Sequence, residues 1–178
     1  MKFSKVLVYD METTGFTAGT DEILQLSIVD GNGKELFNHL IKPTHTDDWS
    51  KAAEINGITK DKVANCETIA YWLPKIKVLF ASAELLVGYN QLGFDNKFLQ
   101  VLGIETSAKP SVDCMLAFSE KIGTPNTYTK GFNRTPFKWY KLEQAVEHYG
   151  YDWGADHAHD SLADAKATAF LWRSLNAD

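Results

Sequence analysis

The stretch VLVYDMETTGF, residues 6–16, is an apolar run that ends in two acidic residues, Asp10 and Glu12. Such a run is typical of a buried β-strand. Side chains alternate between the two faces of a strand, so Asp10 and Glu12 project to one face and Met11 to the other. Carboxylates that lie close together repel each other unless a cation or a proton separates them, and Mg²⁺ prefers carboxylate oxygen. The pair therefore predicts either a metal site or an ordinary solvated strand end.

The rest of the chain predicts strands first and then helices. The runs EILQLSIVD, residues 22–30, and ELFNHLIK, residues 35–42, flank the turn-forming GNG and complete an antiparallel meander of three strands. A short buried strand, ELLVGYN, follows at residues 84–90. Apolar spacing predicts helices over Ile69 to Phe80, Asp95 to Leu102, Asp113 to Ile122, Tyr140 to Tyr149 and Ser161 to Leu175. This order predicts an α/β fold in which helices cover a mixed sheet.

Length and composition restrict the class of protein. The 178 residues predict a single domain, residues 1–178, and 44% apolar residues suffice for a large core without disulfides. Cys66 and Cys114 match no paired metal-ligand spacing, which is typical of buried cysteines in a reducing compartment. Because no signal peptide or membrane-spanning run is recognisable, we expect a cytoplasmic protein without a membrane partner. The net charge of −5 argues against attraction to a polyanion over the whole surface.

Two further acidic residues follow later elements. Asp95 comes after the fourth predicted strand and opens a helix, where it either caps that helix or contributes to a site at the sheet edge. Asp164 lies in the first turn of the last predicted helix, within DHAHDSLADAKAT at residues 156–168, where Ser161 fits a capping pattern. An acid in a first turn is common and stabilises a helix by only about 0.3–1 kcal/mol. His159 lies just before this helix, close enough to share a site with Asp164.

Together these residues resemble the DEDD superfamily of 3′-to-5′ exonucleases, in the branch that carries a histidine. The matching series is Asp10-x-Glu12, then Asp95, then His159 and Asp164. The surrounding segments DMETTGF, AAEINGIT, GYNQLGFDNKFL, VDCMLAF and HDSLADAKAT resemble the family's motifs in the expected order, over essentially the whole chain. The tyrosine branch would place a tyrosine four residues before the last aspartate, and Asp160 stands there. The resemblance extends to the proofreading exonuclease subunit of bacterial replicative polymerases.

One motif departs from the family pattern. Many members of the histidine branch have a histidine before the asparagine of the second motif, and a shorter interval from that asparagine to the aspartate. This chain has Tyr89 at the first position and one extra residue between Asn90 and Asp95. The departure leaves the closer subfamily open.

The resemblance implies a fold and a chemistry. The fold is ribonuclease H-like: a central mixed five-stranded sheet, made of an antiparallel three-strand meander plus parallel strands, flanked by helices. Phosphodiester cleavage needs an activated water, a neutralised phosphoryl oxygen and a stabilised departing 3′ oxygen, and a pair of metal ions supplies all three. By resemblance, Asp10 bridges two Mg²⁺ ions, for which Mn²⁺ would substitute, and Glu12, Asp95 and Asp164 complete their shells. His159 is the general base, since imidazole exchanges protons near neutral pH.

The implied substrate is a nucleic acid with a free 3′ end, single-stranded DNA or RNA, which would be released as nucleoside 5′-monophosphates. The resemblance assigns contacts with the terminal nucleotide to Thr13, Thr14 and Phe16, and places Asn90 and Phe94 near the second metal ligand. Phe16 is suited to stack on a base, and the alternative is that Phe16 and Phe94 are core residues. A polymerase or repair protein is the implied protein partner.

A basic segment, KIGTPNTYTKGFNRTPFKWYKL at residues 121–142, contains no acidic residue and interleaves its charges with aromatic residues. Positive charges beside stacking platforms are typical of single-strand binding. We therefore expect Lys130, Arg134 and Lys138 to guide the substrate strand. The alternative is a surface loop whose aromatic residues pack beneath it.

Two other functional classes remain open from the sequence. One is a non-catalytic adaptor of the same fold, which binds nucleic acid or a polymerase and would lack a metal ligand or the histidine. The other is an unrelated zinc hydrolase built on His157 and His159, because two histidines one residue apart can bind zinc from a strand. The family pattern selects His159 over His157 and leaves His157, Asp156 and Asp160 as solvated bystanders.

Overall fold

A mixed five-stranded sheet forms the centre of the fold, within the residues that the computed structural model describes, 2–127, 136–154 and 159–177. Its order is β3-β2-β1-β4-β5. The strands are β1 (Val6–Thr13), β2 (Ile23–Asp30), β3 (Glu35–Leu40), β4 (Leu85–Gly88) and β5 (Ser111–Asp113). β1, β2 and β3 pair antiparallel, and β4 lies parallel between β1 and β5. The predicted meander and the ribonuclease H-like sheet are confirmed.

Helices cover both faces of this sheet. In the described ranges they are α1 (Ser50–Asn56), α2 (Lys60–Val63), α3 (Ile69–Ser82), α4 (Asp95–Val101), α5 (Cys114–Ile122), α6 (Leu142–His148) and α7 (Ser161–Ala177). Pro74 lies inside α3 without ending it. None of these helices, as far as the chain is described, has the length and apolar composition needed to cross a bilayer.

The start of α5 differs from the sequence prediction. A helix was expected from Asp113, whereas Asp113 is the last residue of β5 and the N-cap of α5, where its Oδ1 accepts the Met115 N–H at 3.1 Å. β5 has only three residues, which is too short for a period of two to show in the sequence. Its parallel pairing with β4 makes it a strand.

The two faces of β1 enter different cores. Met11 joins the apolar cluster that contains α3 and α4 residues, whereas Val6 and Val8 join the cluster on the α7 face. Asp10 and Glu12 continue the alternation of Val6 and Val8, so both carboxylates lie on the α7 face. The structure confirms that Asp10 and Glu12 share a face and that Met11 takes the other.

Small residues bring α7 close to the sheet. Ala165, Ala167 and Ala169 are fully buried, and α7 contacts β1, β2 and β4. Ser161, at the start of α7, is also buried, with its Oγ 2.6 Å from the Oγ of Ser27 on β2. Short side chains allow the helix axis to approach the strands, which places the first turn of α7 directly beside the end of β1.

Asp160, rather than Ser161, caps α7. Its Oδ1 accepts hydrogen bonds from the backbone N–H groups of Leu162 and Ala163, at 3.0 and 3.1 Å. Such a bond satisfies N–H groups that have no partner inside the helix. The side chain of Asp160 is exposed, as predicted, and it has this structural role in addition. That Asp160 takes no part in the chemistry stays a prediction. The hydroxyl of Ser161 is instead committed to the sheet.

We expect Ala165→Leu to destabilise the protein by about 1–3 kcal/mol, because a larger side chain cannot fit between α7 and the sheet without displacing one of them. Urea unfolding measures the change in the free energy of unfolding. The matched control is Ala70→Leu, on an exposed part of α3, which should stay within about 0.5 kcal/mol of the wild type. Equal effects of the two variants would contradict close packing of α7.

Candidate active site

Three elements bring the four predicted acidic ligands together. Asp10 and Glu12 lie towards the end of β1, Asp95 is the first residue of α4, and Asp164 lies in the first turn of α7. Burial raises the pKa of Asp10 well above its usual range, and the charges of Asp95, Asp164 and Glu12 raise it further. The structure thus unites side chains that are up to 154 positions apart in the sequence.

His159 and two of the carboxylates form the most compact part of this cluster. The ligand atoms of Glu12, His159 and Asp164 all lie within 4.8 Å of one another. The backbone N–H of His159 donates to Asp164 Oδ2 at 3.1 Å, which fixes the orientation of that carboxylate. Asp164 Oδ1 is buried and has no hydrogen-bond partner among the residues that the structure describes. One oxygen of Asp164 is therefore held by the protein and the other is left for a ligand.

Asp95 is not a helix cap. The N-cap of α4 is Phe94, and no side-chain bond caps this helix. Asp95 is 3% exposed, and within the described part of the chain its buried Oδ1 has no hydrogen-bond partner. Burial raises the pKa of this carboxyl group. A buried carboxylate oxygen without a partner is unfavourable in the charged form, so the structure favours the alternative in which Asp95 belongs to the site.

Glu12 has a protein partner that is not among the predicted site residues. Burial raises the pKa of Glu12 to about 8, and the charge of Asp164 raises it while a side-chain hydrogen bond from Asn56 lowers it. Asn56 ends α1, and its Oδ1 accepts the Ile58 N–H at 3.0 Å, which orients the amide. The only sequence signal for Asn56 was its place in the AAEINGIT segment. Its contact with Glu12 depends on the packing of α1 against the sheet.

This donor set fits hard divalent cations. The carboxyl groups of Asp10, Glu12, Asp95 and Asp164 all have raised pKa values, chiefly because burial disfavours their charged forms, and the charges of the other members raise the pKa of Asp10 and Glu12 further. A divalent cation removes both penalties, and carboxylate oxygen is the ligand that Mg²⁺ and Mn²⁺ prefer. The unpartnered oxygens of Asp95 and Asp164 are available to such an ion.

The hydroxyl groups of Thr13 and Thr14 shape the loop that follows β1. Thr13 Oγ1 donates to the Gly15 carbonyl at 2.6 Å, and Thr14 Oγ1 accepts the Glu22 N–H at 2.9 Å. Both residues are buried. These bonds give the two threonines a role in holding the loop. Their predicted contact with a substrate stays a prediction.

Phe16 and Phe94 differ in their surroundings. Phe16 is 85% exposed, so the alternative that it is a core residue is wrong. Phe94 is partly buried and packs against the α3 and α4 side of the core, with its ring 5.1 Å from that of Phe98. The rings of Phe16 and Phe94 meet edge to face at 6.2 Å. Phe16 therefore presents an aromatic surface to solvent, supported from below by Phe94.

The second motif forms a tight turn between β4 and α4. Asn90 has a positive φ of 60°, its N–H donates to Asp113 Oδ1 at 3.0 Å, and its carbonyl accepts the Phe94 N–H at 3.1 Å. Tyr89, the departure from the family pattern, donates its hydroxyl to the Tyr140 carbonyl at 2.6 Å. Tyr89 thus ties this turn to the segment before α6. Substrate binding by Asn90 stays a prediction.

The basic segment is described only at its ends. Lys130 and Arg134 lie outside the described residues, as do His157 of the zinc alternative and the predicted bystander Asp156. Lys138 is exposed, with its Nζ 5.1 Å from the centre of the Tyr140 ring. Its backbone N–H donates to the Thr124 carbonyl at 2.9 Å. Its predicted role in guiding a strand stays a prediction.

We expect the free energy of unfolding of the metal-free protein to fall as the pH rises from about 4 to about 8. The ordinary pKa of Glu12 is 4.5 and its folded value is about 8. Asp10, Asp95 and Asp164 shift in the same direction. The folded state therefore binds more protons than the unfolded chain in this window, and this stabilisation is lost as the protons leave.

Urea unfolding at pH 5 and pH 8, in EDTA and in Mn²⁺, measures this effect. Mn²⁺ should restore stability at pH 8, and Asp10→Asn should weaken the pH dependence in EDTA. The control Asp61→Asn, at an exposed position of α2, should leave that dependence unchanged. If the metal-free protein became more stable between pH 5 and pH 8, the raised pKa values of the four carboxyl groups would be contradicted.

Comparisons with known proteins agree with this fold. The RNase_T family model, described as Exonuclease, matches residues 7–171. The PolC-type DNA polymerase III of Thermotoga maritima is 29% identical over 171 residues, which cover 92% of this chain and 11% of the polymerase. The exonuclease CP81 of Escherichia phage 186 is 29% identical over 170 residues, which cover 89% of this chain and 81% of that protein.

A solved structure shares the fold. Exonuclease I of E. coli, in a complex with a dA16 oligonucleotide, superimposes with a TM-score of 0.72 at 19% identity, over 93% of this chain and 39% of that one. The chain thus spans about a tenth of the length of the polymerase and less than half of exonuclease I. Because the family model covers nearly the whole chain, and the motifs of the DEDD superfamily converge on one site, the chain belongs to the exonuclease family.

Proposed function

We propose that this chain is a metal-dependent 3′-to-5′ exonuclease, which hydrolyses phosphodiester bonds at the 3′ end of single-stranded DNA or RNA and releases nucleoside 5′-monophosphates. The observation that carries the proposal is the convergence of Asp10, Glu12, Asp95 and Asp164 on one site beside His159. Membership of the exonuclease family supports the same reaction. The complex of exonuclease I with dA16 supports a single-stranded substrate.

The four carboxylates would hold two Mg²⁺ ions, or Mn²⁺ in their place. When bound, such a pair of ions lowers the pKa of the attacking water and neutralises charge on the phosphate and on the departing 3′ oxygen. Asp10, whose pKa is raised by the charges of the other three carboxylates, would be one of the groups that hold these ions. Asp164 would use Oδ1, since the His159 N–H already holds Oδ2.

His159 would act as the general base. Its ring nitrogen lies within 4.8 Å of carboxylate oxygens of Glu12 and Asp164, and the residue is exposed. The imidazole can therefore reach a water molecule at the carboxylate cluster and accept its proton, and solvent can carry that proton away afterwards.

The substrate strand would meet the site on the side of Phe16. This exposed ring is placed to stack on a terminal base, and Thr13, Thr14, Asn90 and Phe94 build the loops around it. Lys130, Arg134 and Lys138 would neutralise phosphates further along the strand. PolC-type relatives suggest a polymerase or repair protein as a partner. We further propose that residues 1–178 act as one exonuclease domain in the cytoplasm.

The adaptor alternative is weaker, because no metal ligand or histidine of the series is missing. A metal titration distinguishes the exonuclease from the zinc hydrolase. Activity with Mg²⁺ or Mn²⁺ that is lost in Asp10→Ala supports the exonuclease. Tight stoichiometric Zn²⁺ binding that is lost in His157→Ala would support the zinc hydrolase instead.

We expect His159→Ala to lower kcat by roughly 10²–10⁴-fold, the usual contribution of a positioned general base. The assay follows oligonucleotides labelled at the 3′ or the 5′ end, as single and double strands of DNA and RNA. A 3′ label should appear in mononucleotides at the first turnover and a 5′ label only at the end. His148→Ala, at an exposed position of α6, is the control and should keep wild-type activity. Early release of the 5′ label would overturn the proposed direction.

We expect Phe16→Ala to raise KM for oligonucleotides between about 5-fold and 150-fold, because stacking on an aromatic ring contributes roughly 1–3 kcal/mol per base. Stability should barely change, since the ring is 85% exposed. Steady-state kinetics measure KM, with Val78→Ala as the control at another exposed apolar position, 68% exposed on α3. An unchanged KM in Phe16→Ala would show that Phe16 does not contribute to substrate binding.

A further inference from the structure

A buried amide on β2 connects the sheet to the turn that carries His159. Gln25 is 6% exposed and lies opposite Glu12 in the pairing of β1 with β2. It therefore sits on the α7 face, beside the carboxylate cluster. A buried amide is unfavourable unless its polar atoms are bonded, and this one is bonded at both ends.

The bonds of Gln25 lead to the start of α7. Its Nε2 donates to Asp160 Oδ2 at 3.3 Å and to Asn38 Oδ1 at 3.1 Å, and its Oε1 accepts the Ser161 N–H at 3.4 Å. Ser27 adds a second connection, since its hydroxyl bonds to Asn38 Oδ1 at 3.0 Å and meets the Ser161 hydroxyl at 2.6 Å. Two residues of β2 thus hold two consecutive residues of the turn.

Asp160 is held at both of its oxygens as a result. Oδ1 accepts the N–H groups of Leu162 and Ala163 from α7, and Oδ2 accepts Gln25 from the sheet. The carboxylate of Asp160 therefore joins the helix to β2 immediately after His159. Asp160 follows His159 directly in the sequence.

The turn needs this support. His159 has a φ of 69°, in the left-handed region that non-glycine residues adopt only when their surroundings hold them there. That conformation also directs the His159 N–H to Asp164 Oδ2. A turn released from the sheet would relax towards ordinary backbone angles, which would move both the imidazole and the Asp164 carboxylate.

We propose that Gln25 is a positioning residue for His159: its amide holds the turn before α7 from the sheet and so fixes the imidazole over the carboxylate cluster. The inference rests on the proposed function, because it assigns a residue to the alignment of the proposed general base. Gln25 does not touch the reacting atoms. It acts through Asp160 and Ser161.

Gln25→Met keeps the length of the side chain and removes all of its hydrogen bonds. We expect kcat to fall about 10- to 100-fold, as when the residues that orient an active-site group are lost, while KM for oligonucleotides stays within about 2-fold. In the metal-free protein, the ring C–H resonances of His159 should shift, while those of His45 and His148 should not. The NMR measurement does not depend on catalysis.

Asp30→Ala is the matched control, because it also removes buried hydrogen bonds from β2, at the end of the strand far from the site. Asp30 is 7% exposed and accepts the N–H groups of Asn32 and Lys34. This variant should lose stability and keep kcat. An equal loss of kcat in Asp30→Ala and Gln25→Met would reduce the role of Gln25 to general stability, and overturn the proposal.

A paired substitution tests the bond itself. Gln25→Glu alone places two carboxylates together, and Asp160→Asn alone places two amide donors together. In the double variant Gln25→Glu/Asp160→Asn, the new asparagine can donate to the new glutamate, the total charge is unchanged, and asparagine still caps α7. We expect each single variant to lose kcat and the double variant to regain at least a third of the wild-type value.

The outcomes separate the two proposals. Wild-type kcat in Gln25→Met, an increase in KM alone, or a double variant no better than the worse single variant would each overturn the role of Gln25. A wild-type protein that releases no nucleotides with Mg²⁺ or Mn²⁺ would overturn the proposed function instead. In that case the His159 resonances still show whether Gln25 holds the turn.

Discussion

The repulsion among four partly or fully buried carboxylates is the constraint on which the rest of this structure depends. Burial raises the pKa of each of them, the charges of the others raise it further for Asp10 and Glu12, and two of their oxygens have no hydrogen-bond partner among the described residues. A fold tolerates such a cluster only if the surrounding core supplies enough stability to hold it together. The two apolar clusters on either side of the sheet provide that stability. The burial and repulsion that destabilise the metal-free protein also favour the binding of cations by these carboxylates.

The scaffold holds each part of the cluster by a different means. β1 fixes Asp10 and Glu12 on one face through its own alternation, and the alanines of α7 let Asp164 approach them. Asn56 bonds to Glu12, and the backbone of His159 bonds to Asp164. These contacts leave the remaining oxygens facing the site. The protein thus orients its carboxylates without saturating them, which is what a metal-dependent hydrolase requires.

Much of this arrangement could be predicted from the sequence, because it depends on strand alternation and on short motifs. The alternation of side chains along β1 predicted that Asp10 and Glu12 share a face. The motif series predicted Asp95 and Asp164 as further metal ligands. Other features depend on contacts between distant residues. β5 is too short to show a pattern, and the capping role of Asp160 requires the exact start of α7. The exposure of Phe16 could not be predicted either, since an aromatic residue at a strand end is compatible with both core and surface.

By itself the sequence determined which residue types are present, which face of β1 carries the acids and which family the motifs resemble. Only the tertiary structure decided which of those residues are close enough to act together, because their distances depend on how α4 and α7 pack against the sheet. It also decided that Asp95 does not cap its helix, that Phe16 faces solvent and that Gln25 reaches the turn of His159. The physical reason is that local propensity sets elements and faces, whereas burial and hydrogen bonding between elements set the site.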